Sequence, residues 1–568
     1  MSPSKPAAIL LSDLTNCTPK ARLTRTFEDG RWQLTDYETV DGASGVMVTA
    51  FPDHDSGTLT LPLELKGPYR IYLGINYTKP QHVDWSPYGE LAVKLDGDFG
   101  YSRVGAENMR QHAGHLPPKM GIVNEIYKSI QEAYWKTADL TGRSIHFRQP
   151  GPPYNGPEWL GFSNLAYVKL VPLTDGEIES WKREAPTATT RCLAQLFCTG
   201  QLTGHTAGTR TYHPTSEEWF REEITPLIDS DFGILVFEAL RGSYASYRTK
   251  IGYLGTEADQ WEDDWVDPLE VLTRLSHENG LKIFASLRMI SVQYPMNRAP
   301  IARAKHFHQM PQFAKQDRHG RPLTGLSLAY PEVRAYWLSL LRETLEYGTD
   351  GIQLHLNRAN PFVLYEEPVV DSFRKKHGID PRELPENDPR FLAHQAGYVT
   401  QFVREVRLLL DERPNRELAV TFYGEPHKYD RDANPYHPIR YGCAVEDWIR
   451  EGLVDYLMPS PKISPEFIRQ WRELGGDRLH IWPDLMPRTQ PAEMYARLAG
   501  KYYEAGADGF CLWDGERRPQ RISEWAAVRR LGHRDQLDRL MAEAPGWYRK
   551  VDLAMLGGFS ARESFHDG

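Results

Sequence analysis

The stretch DGIQLHLNRANPFVLYEEP, residues 350–368, is a strand-like apolar run that ends in polar side chains. His355, Asn357 and Arg358 lie at the end of the run, and the acidic pair Glu366 and Glu367 follows a short loop. Strands of a parallel sheet are normally near-continuous apolar runs, because helices cover both faces. Polar groups at the end of such a strand cost free energy unless they have partners or a ligand. The stretch therefore predicts a parallel strand that carries functional residues at its carboxyl end.

The chain around this stretch, from about residue 191, alternates strand-like runs with amphipathic helical segments. Several helical segments begin with Ser, Asp or Pro and end on Gly, as helix caps do. The predicted strands are CLAQLFC (192–198), GILVFEAL (233–240), LKIFASLRM (281–289), GIQLHL (351–356), ELAVTFYG (417–424), VDYLMPS (454–460), RLHIWPDL (478–485) and GFCLWDG (509–515). Eight strands alternating with helices predict a (β/α)8 TIM barrel over residues 191–535. A doubly wound sheet is the rival, but FCTGQLTGHTAG after the first strand lacks the GxGxxG spacing.

The chain before residue 174 has a different pattern. Short strands separated by Gly, Pro, Asp and Asn predict an antiparallel β-sandwich of jelly-roll type over residues 21–173. The polar segment 174–190 is expected to be a linker, residues 1–20 an N-terminal extension and residues 536–568 a C-terminal extension. The predicted fold class is therefore α/β, with a β-sandwich preceding the barrel.

The composition is that of a soluble globular protein. The chain has 568 residues, 40% hydrophobic and 25% charged, and a formal net charge of −9, which disfavours nucleic acid and anionic membrane surfaces as partners. Five cysteines without a CxxC pair indicate neither a disulfide framework nor a zinc ribbon. The N-terminus is a poor secretory signal and no apolar run reaches the length of a membrane span, so a cytoplasmic location is expected. The oligomeric state is left open, with a homo-oligomer among the alternatives.

The carboxyl ends of the predicted barrel strands carry most of the candidate functional residues. In a (β/α)8 barrel these ends form the active-site mouth. The residues predicted to bind a ligand there are Glu238, Arg288, His355, Asn357, Arg358, Tyr423, Trp482, Trp513 and Asp514, and the candidate catalytic residues are Glu425, Asp484 and Glu367. Any single acid after a strand has an alternative interpretation as a helix cap or an arginine partner. Glu367 in particular precedes Pro368, where an acid complements the helix dipole.

The chemistry that these residues suit is carboxylate catalysis. Glycoside hydrolysis needs two carboxyl groups on either side of the scissile bond, one protonated and one ionised. The fifth and seventh strands are not adjacent, so Glu425 and Asp484 can face each other across the mouth. A metal is not predicted, since the HxH pair of His306 and His308 is weak evidence. No GxSxG nucleophile elbow is present, and no cofactor is predicted.

The run LSLAYPEVRAYWLSLLRETLEYGTDGIQLHLNRANPFVLYEEPVVDSFRKKHGIDPREL, residues 326–384, resembles bacterial glycosyl-hydrolase-like proteins related to glycoside hydrolase family ten. In that group a PEVR helix leads into a YGxDGI strand, and an FxxxxGxDPR segment follows the next loop. The resemblance implies a (β/α)8 barrel acting on glycosidic bonds, behind a jelly-roll domain. It also implies a nucleophile at Asp484, with Asp in place of the usual Glu. The family's Asn-Glu pair after the fourth strand is replaced by Asn357 and Arg358, so Glu367, Glu366 or Glu425 is left as the acid.

The predicted function is a glycosidase acting on a mono- or oligosaccharide, with Glu425 as general acid/base and Asp484 as nucleophile or base. Two alternatives remain at this point. One is a carbohydrate-binding barrel without catalysis, and the other is a sugar-acid lyase or a metal-assisted barrel enzyme. The sequence leaves the sugar, the linkage, the anomer and the stereochemical outcome open.

Overall fold

The computed structural model describes residues 7–51, 54–76, 91–105, 129–149, 163–197, 217–242, 244–254, 265–289, 309–357, 361–424, 438–461, 463–486, 490–513, 518–519 and 521–561. Among these residues, no helix has the length and apolar character that crossing a membrane requires.

The second half of the chain is organised around parallel strands. Its strands are β13 (Leu193–Phe197), β14 (Phe232–Arg241), β15 (Tyr244–Ala245), β16 (Tyr253–Leu254), β17 (Lys282–Arg288), β18 (Ala314–Gln316), β19 (Pro322–Leu326), β20 (Gly351–His355), β21 (Glu417–Phe422), β22 (Tyr456–Pro459), β23 (His480–Ile481) and β24 (Phe510–Leu512). Eight of them pair in parallel in the order β24-β13-β14-β17-β20-β21-β22-β23. The order follows the chain, as expected when each strand is followed by a crossover to its neighbour.

Helices alternate with these strands. The described helices are α1 (Asp175–Lys182), α2 (Glu217–Ile224), α3 (Pro268–Glu278), α4 (Pro331–Glu346), α5 (Glu367–His377), α6 (Pro389–Asp411), α7 (Val445–Arg450), α8 (Pro465–Gly475), α9 (Ala492–Glu504), α10 (Ile522–Val528) and α11 (Leu537–Glu543). Asp267 caps α3 by accepting from the N–H groups of Leu269 and Glu270, and Gly378 ends α5 in the left-handed conformation with φ 72°. The mixed α/β fold is confirmed.

The first part of the chain forms two antiparallel sheets. Its strands are β1 (Ile9–Leu11), β2 (Leu23–Thr24), β3 (Trp32–Thr39), β4 (Ser44–Ala50), β5 (Leu59–Pro62), β6 (Pro68–Ile75), β7 (Leu91–Leu95), β8 (Ser102–Val104), β9 (Ser129–Asp139), β10 (Ser144–Arg148), β11 (Ser163–Leu165) and β12 (Tyr167–Pro172). Strands β5, β10, β7 and β8 form one sheet, and the others belong to a ten-stranded sheet. Both sheets contribute to one buried cluster, in which Trp32 packs edge-on against Phe147 at 5.6 Å. The jelly-roll connection stays a prediction.

The two ends of the chain belong to the ten-stranded sheet. Strand β1 pairs with β12, and the C-terminal strand β25 (Tyr548–Leu556) lies between β9 and β3, with β26 (Phe559–Ser560) beside it. Residues 1–20 and 536–568 were expected to be extensions, yet their described parts supply strands to this sheet. The expected linker, 174–190, contains helix α1.

Candidate active site

One face of the parallel sheet carries the candidate site. Along each strand, alternate side chains point to opposite faces. Leu287 and Leu354 pack into the main core together with the helices. The polar residues Ser286 and Gln353, which directly precede them in sequence, and Thr421 of β21 are also buried. The Ser286 hydroxyl donates to Gln353 Oε1 at 2.5 Å, and the Gln353 amide donates to Thr421 Oγ1 at 2.5 Å. This polar layer crosses three neighbouring strands and lies beneath the strand ends.

Glu238, near the end of β14, is the first buried carboxylate above this layer. Its side chain has no exposed surface and forms ion pairs with Arg241 at 2.6 Å and Arg288 at 3.1 Å. Burial opposes ionisation of Glu238, but the charges of Arg241, Arg288 and His355 outweigh it and lower the pKa of the carboxyl to about 2. Glu238 is therefore a permanent anion that fixes two arginines.

Trp513, which follows β24, connects this cluster to its neighbours. The His355 ring lies 4.1 Å from the Trp513 ring in an edge-on arrangement, and the Arg288 guanidinium lies 5.9 Å from the same ring. His355 is fully buried and Trp513 is 3% exposed. Residues from the ends of β17, β20 and β24 therefore meet here.

Asp484, in the loop after β23, is the second buried carboxylate. Its Oδ2 accepts from the Ser460 hydroxyl at 3.0 Å. Its Oδ1 accepts from the backbone N–H of Trp513 at 3.3 Å and from Arg518 Nη2 at 3.0 Å. Asn357 donates to the Ser460 carbonyl at 3.3 Å. Three donors around one carboxylate stabilise its charged form.

These contacts join nine residues into one cluster, which we call the strand-end network. Six of them are candidate residues from the sequence: Glu238, Arg288, His355, Asn357, Asp484 and Trp513. The other three are Arg241, Ser460 and Arg518. Arg518 is the residue that the sequence reasoning missed. It belongs to the basic segment GERRPQR (515–521), and an arginine just after the last strand of a parallel sheet is a usable signal for a carboxylate partner.

Four atoms of the strand-end region lie buried without a hydrogen-bond partner among the described residues. They belong to three residues and comprise one acceptor, Asn357 Oδ1, and the donors Trp482 Nε1, Arg518 Nη1 and Arg518 Nε. A buried polar group that lacks a partner costs free energy, so such groups point to a ligand, a water or another part of the chain. The unpartnered atoms include an acceptor, on Asn357, and donors, on Trp482 and Arg518.

Tyr423, which follows β21, and Trp482, which follows β23, each contact an aromatic neighbour from another segment. The ring of Tyr423 lies 5.0 Å from Tyr441, and the ring of Trp482 lies 5.0 Å from Tyr456. Trp482 belongs to the buried cluster that also contains Trp513. Its indole is therefore held on the face of the sheet where the network lies.

Glu367 lies apart from the strand-end network. Its side chain is 62% exposed and its carboxylate is 3.8 Å from Arg382, while Glu367 itself begins helix α5. This position corresponds to the helix-start interpretation. The neighbouring Glu366 is fully buried and accepts from the Leu364 N–H at 2.8 Å, and burial raises its pKa to about 6.

Three predicted site residues, Glu425, Arg358 and Asp514, lie outside the described residues, as do His306 and His308. Within the described parts of the chain, no group of three or more His, Cys, Asp and Glu side chains is placed to hold a metal ion.

Comparisons with known proteins give remote likenesses. No protein-family model matches the chain, and no curated protein matches it. Among solved structures, it is similar to the cycloalternan-degrading enzyme from Trueperella pyogenes, with 12% identity and a TM-score of 0.36 over 90% of this chain and 75% of that one. It is also similar to an alpha-amylase from Lactobacillus plantarum, with 12% identity and a TM-score of 0.33 over 62% and 82% of the two chains. A third similar structure is the glycoside hydrolase domain of PelA from Pseudomonas aeruginosa, with 14% identity and a TM-score of 0.28 over 57% and 95%.

None of these three names specifies glycoside hydrolase family ten. The likenesses are too distant to assign a function to this chain, so the function rests on the site itself.

Proposed function

We propose that the protein is a glycoside hydrolase whose substrate binds at the strand-end network. The observation that carries this proposal is the set of buried, unpartnered atoms of Asn357, Trp482 and Arg518 beside the buried carboxylate of Asp484. Sugar hydroxyls both donate and accept hydrogen bonds, so they complement such a mixed set. The neighbouring indole of Trp513 supplies an apolar face for a sugar ring.

We further propose that the eight parallel strands close into the predicted (β/α)8 barrel. Two hydrogen bonds between the segments of β23 and β24 support closure: Asp508 N–H donates to the Ile481 carbonyl at 3.1 Å, and Cys511 N–H donates to the Pro483 carbonyl at 3.3 Å. In a closed barrel, the strand ends that carry Glu238 and Asp484 surround one mouth.

In this proposal Asp484 is the ionised carboxylate of the pair. The Ser460 hydroxyl, the Trp513 N–H and Arg518 all donate to it, which favours the anion. An anionic carboxylate acts either as the nucleophile or as the base that activates water. Glu425, which follows the fifth strand, is proposed as the general acid that protonates the leaving oxygen.

The remaining residues are proposed to bind the substrate. Glu238 is ionised and holds Arg241 and Arg288, so it suits positioning better than proton transfer. His355, Asn357, Arg358, Tyr423, Trp482, Trp513 and Asp514 are proposed to contact sugar hydroxyls and ring faces.

The test is hydrolysis of a panel of aryl glycosides by the wild-type protein and by Asp484→Asn and Glu425→Gln. We expect kcat/KM to fall by about 100-fold or more in each variant, which is the range for a lost acid or base group. Asp477→Asn, an exposed carboxylate shortly before β23, is the matched control and should keep full activity. Unchanged turnover in both site variants would contradict the proposal.

A second candidate is a saccharide-binding protein that does not hydrolyse its ligand. Both described carboxylates of the network are paired with arginines, and Arg358 stands where the family that the sequence resembles has the Glu of its Asn-Glu pair. Titration calorimetry separates the two, because saccharide binding without hydrolysis of any aryl glycoside would favour this candidate.

A further inference from the structure

A cavity lies between the ten-stranded sheet, helix α1 and the C-terminal helix α11. It has a volume of about 220 Å³. Its walls come from β6, β9, α1, α11 and the segment after α10, which are far apart in the sequence. The cavity is therefore separate from the strand-end network, whose residues do not line it.

The charged side chains that line the cavity balance one another. They are the arginines Arg70, Arg530 and Arg539 and the glutamates Glu177, Glu184 and Glu543. The ion pairs among them include Arg70 with Glu177 at 2.8 Å, Arg530 with Glu184 at 2.5 Å and Arg539 with Glu543 at 3.2 Å. Equal numbers of cations and anions give no net attraction for an ion, so the lining suits a neutral ligand.

Some of these polar groups are left with unused hydrogen-bonding capacity. Among the described residues, Glu543 has ion contacts with Arg70 and with Arg539, whose Nε lies 3.2 Å away, but no hydrogen bond. Arg70 Nη2 lies 3.9 Å from Glu543, which is too far for a direct hydrogen bond. A hydroxyl that lies to one side of the pair, about 2.8 Å from each atom, would accept from Arg70 and donate to Glu543.

Aromatic side chains form the rest of the wall. Trp547 is 3% exposed, with the Arg530 guanidinium 5.2 Å from its ring, and the Tyr134 ring lies tilted beside it at 5.1 Å. Trp181 of α1 also lines the cavity. Flat aromatic faces next to planar, hydrogen-bonding side chains complement a ring that carries hydroxyl groups.

We propose that this interface cavity binds a neutral, polyhydroxylated molecule about the size of one sugar ring. Its volume lies below the ~300 Å³ at which pockets for drug-sized ligands begin, so a single ring fits and an oligosaccharide does not. Arg70 and Glu543 bind one ring hydroxyl from opposite sides of its hydrogen-bonding set, as donor and acceptor, and the tryptophan wall covers the ring. The site does not depend on the glycosidase proposal.

The test is calorimetric titration of the full-length protein with D-glucose, D-galactose, D-mannose and myo-inositol. It is carried out in the Asp484→Asn background, in which the strand-end network is altered and the cavity is not. Gly176 lines the cavity and a Cβ there would meet no atom within 4 Å, so Gly176→Trp places an indole at the cavity wall. Gly397→Trp, on an exposed and equally open helical position, is the matched control.

We expect at least one of the four probes to bind, with affinity at least tenfold weaker in Gly176→Trp and in Glu543→Gln, and unchanged in Gly397→Trp. Circular dichroism checks that each variant is folded. Absence of binding by all four probes, or binding that is unaffected by both Gly176→Trp and Glu543→Gln, would overturn the proposal.

Discussion

Glu238 shows how a single buried charge organises the site. Its carboxylate has no exposed surface and is held by Arg241 and Arg288, and its pKa of about 2 keeps it ionised. Such a group contributes stability above the ordinary pKa of a glutamate, and this contribution is lost only as the pH falls towards 2. The Glu238 carboxylate is therefore ionised throughout the pH range in which an enzyme works.

Replacing Glu238 with Gln is expected to destabilise the protein strongly. Two arginines would lose their counter-charge in a buried site, at a cost of about 3–5 kcal/mol in the free energy of unfolding. Glu278→Gln, in an exposed pair with Arg274, should cost less than about 1 kcal/mol. Urea denaturation measures both, and equal costs for the two variants would show that the Glu238 pairs are not desolvated.

The pair of His533 and Asp231 predicts a pH-dependent stability. His533 Nδ1 lies 2.9 Å from Asp231 Oδ2, and this hydrogen bond raises the pKa of the imidazole. The stabilisation is complete below about pH 6.5, the ordinary pKa of histidine, and is lost as the pH rises through the raised value. The unfolding free-energy difference between the wild type and His533→Asn should therefore shrink from pH 6 to about pH 9.

The control for this prediction is the same substitution at His319, which is exposed. If the difference in unfolding free energy between the wild type and His533→Asn stays constant across this pH range, the pKa of His533 is the same in the folded and unfolded chains. That result would contradict the prediction.

Among the secondary-structure elements, strand β25 connects segments from the two ends of the sequence. It lies between β9 and β3, so it holds the two halves of the ten-stranded sheet together. Val551 and Leu553 are buried in it, while Asp552 points outwards. The alternation of buried and exposed side chains is that of a strand with one covered face.

Leu553→Ala is expected to lower the free energy of unfolding by about 2–5 kcal/mol, because a 2% exposed side chain leaves a cavity between the two halves of the sheet. Leu408→Ala, the same substitution at a 66% exposed position, should change it by less than about 0.5 kcal/mol. Chemical denaturation distinguishes these outcomes. A small effect at Leu553 would mean that β25 contributes little to the stability of the sheet.

The elements also show what the sequence could and could not predict. The alternation of apolar runs placed all eight parallel strands within a few residues, as with GIQLHL (351–356) for β20 at Gly351–His355. Because the carboxyl ends of parallel strands lie at one edge of the sheet, the sequence also predicted that Glu238, His355 and Asp484 would lie near one another. Strand β25 was missed, because its partners β9 and β3 lie about 400 and about 500 residues earlier and no local pattern reveals such pairing. The contact of Arg518 with Asp484 depends on loop conformation, which periodicity does not determine.

On the scale of the whole molecule, the two sheet systems share their cores. Tyr72 and Tyr134 of the ten-stranded sheet belong to the same buried cluster as the parallel strands and their helices. In return, Ile522 of α10 is buried among the residues of the antiparallel sheets. The Tyr134 N–H also donates to the Trp547 carbonyl at 2.7 Å. Folding of one part is therefore coupled to folding of the other.

We expect calorimetric unfolding of the full chain to show one transition, with the calorimetric enthalpy close to the van't Hoff enthalpy. A fragment of residues 191–535, the predicted barrel alone, should unfold at a lower temperature or aggregate, because it exposes the surface that Tyr72 and Tyr134 cover. Two separate transitions in the full chain, one of them matching the fragment, would contradict this coupling.

The central claim, that the strand-end network is a saccharide site, is tested most directly by a crystal structure of Asp484→Asn soaked with a saccharide that the protein binds. We expect electron density for a sugar in contact with Trp513 and with Asn357 and Arg518, whose buried polar atoms lack partners among the described residues. Density that is confined to another part of the molecule, with ordered protein or water filling the strand ends, would contradict it.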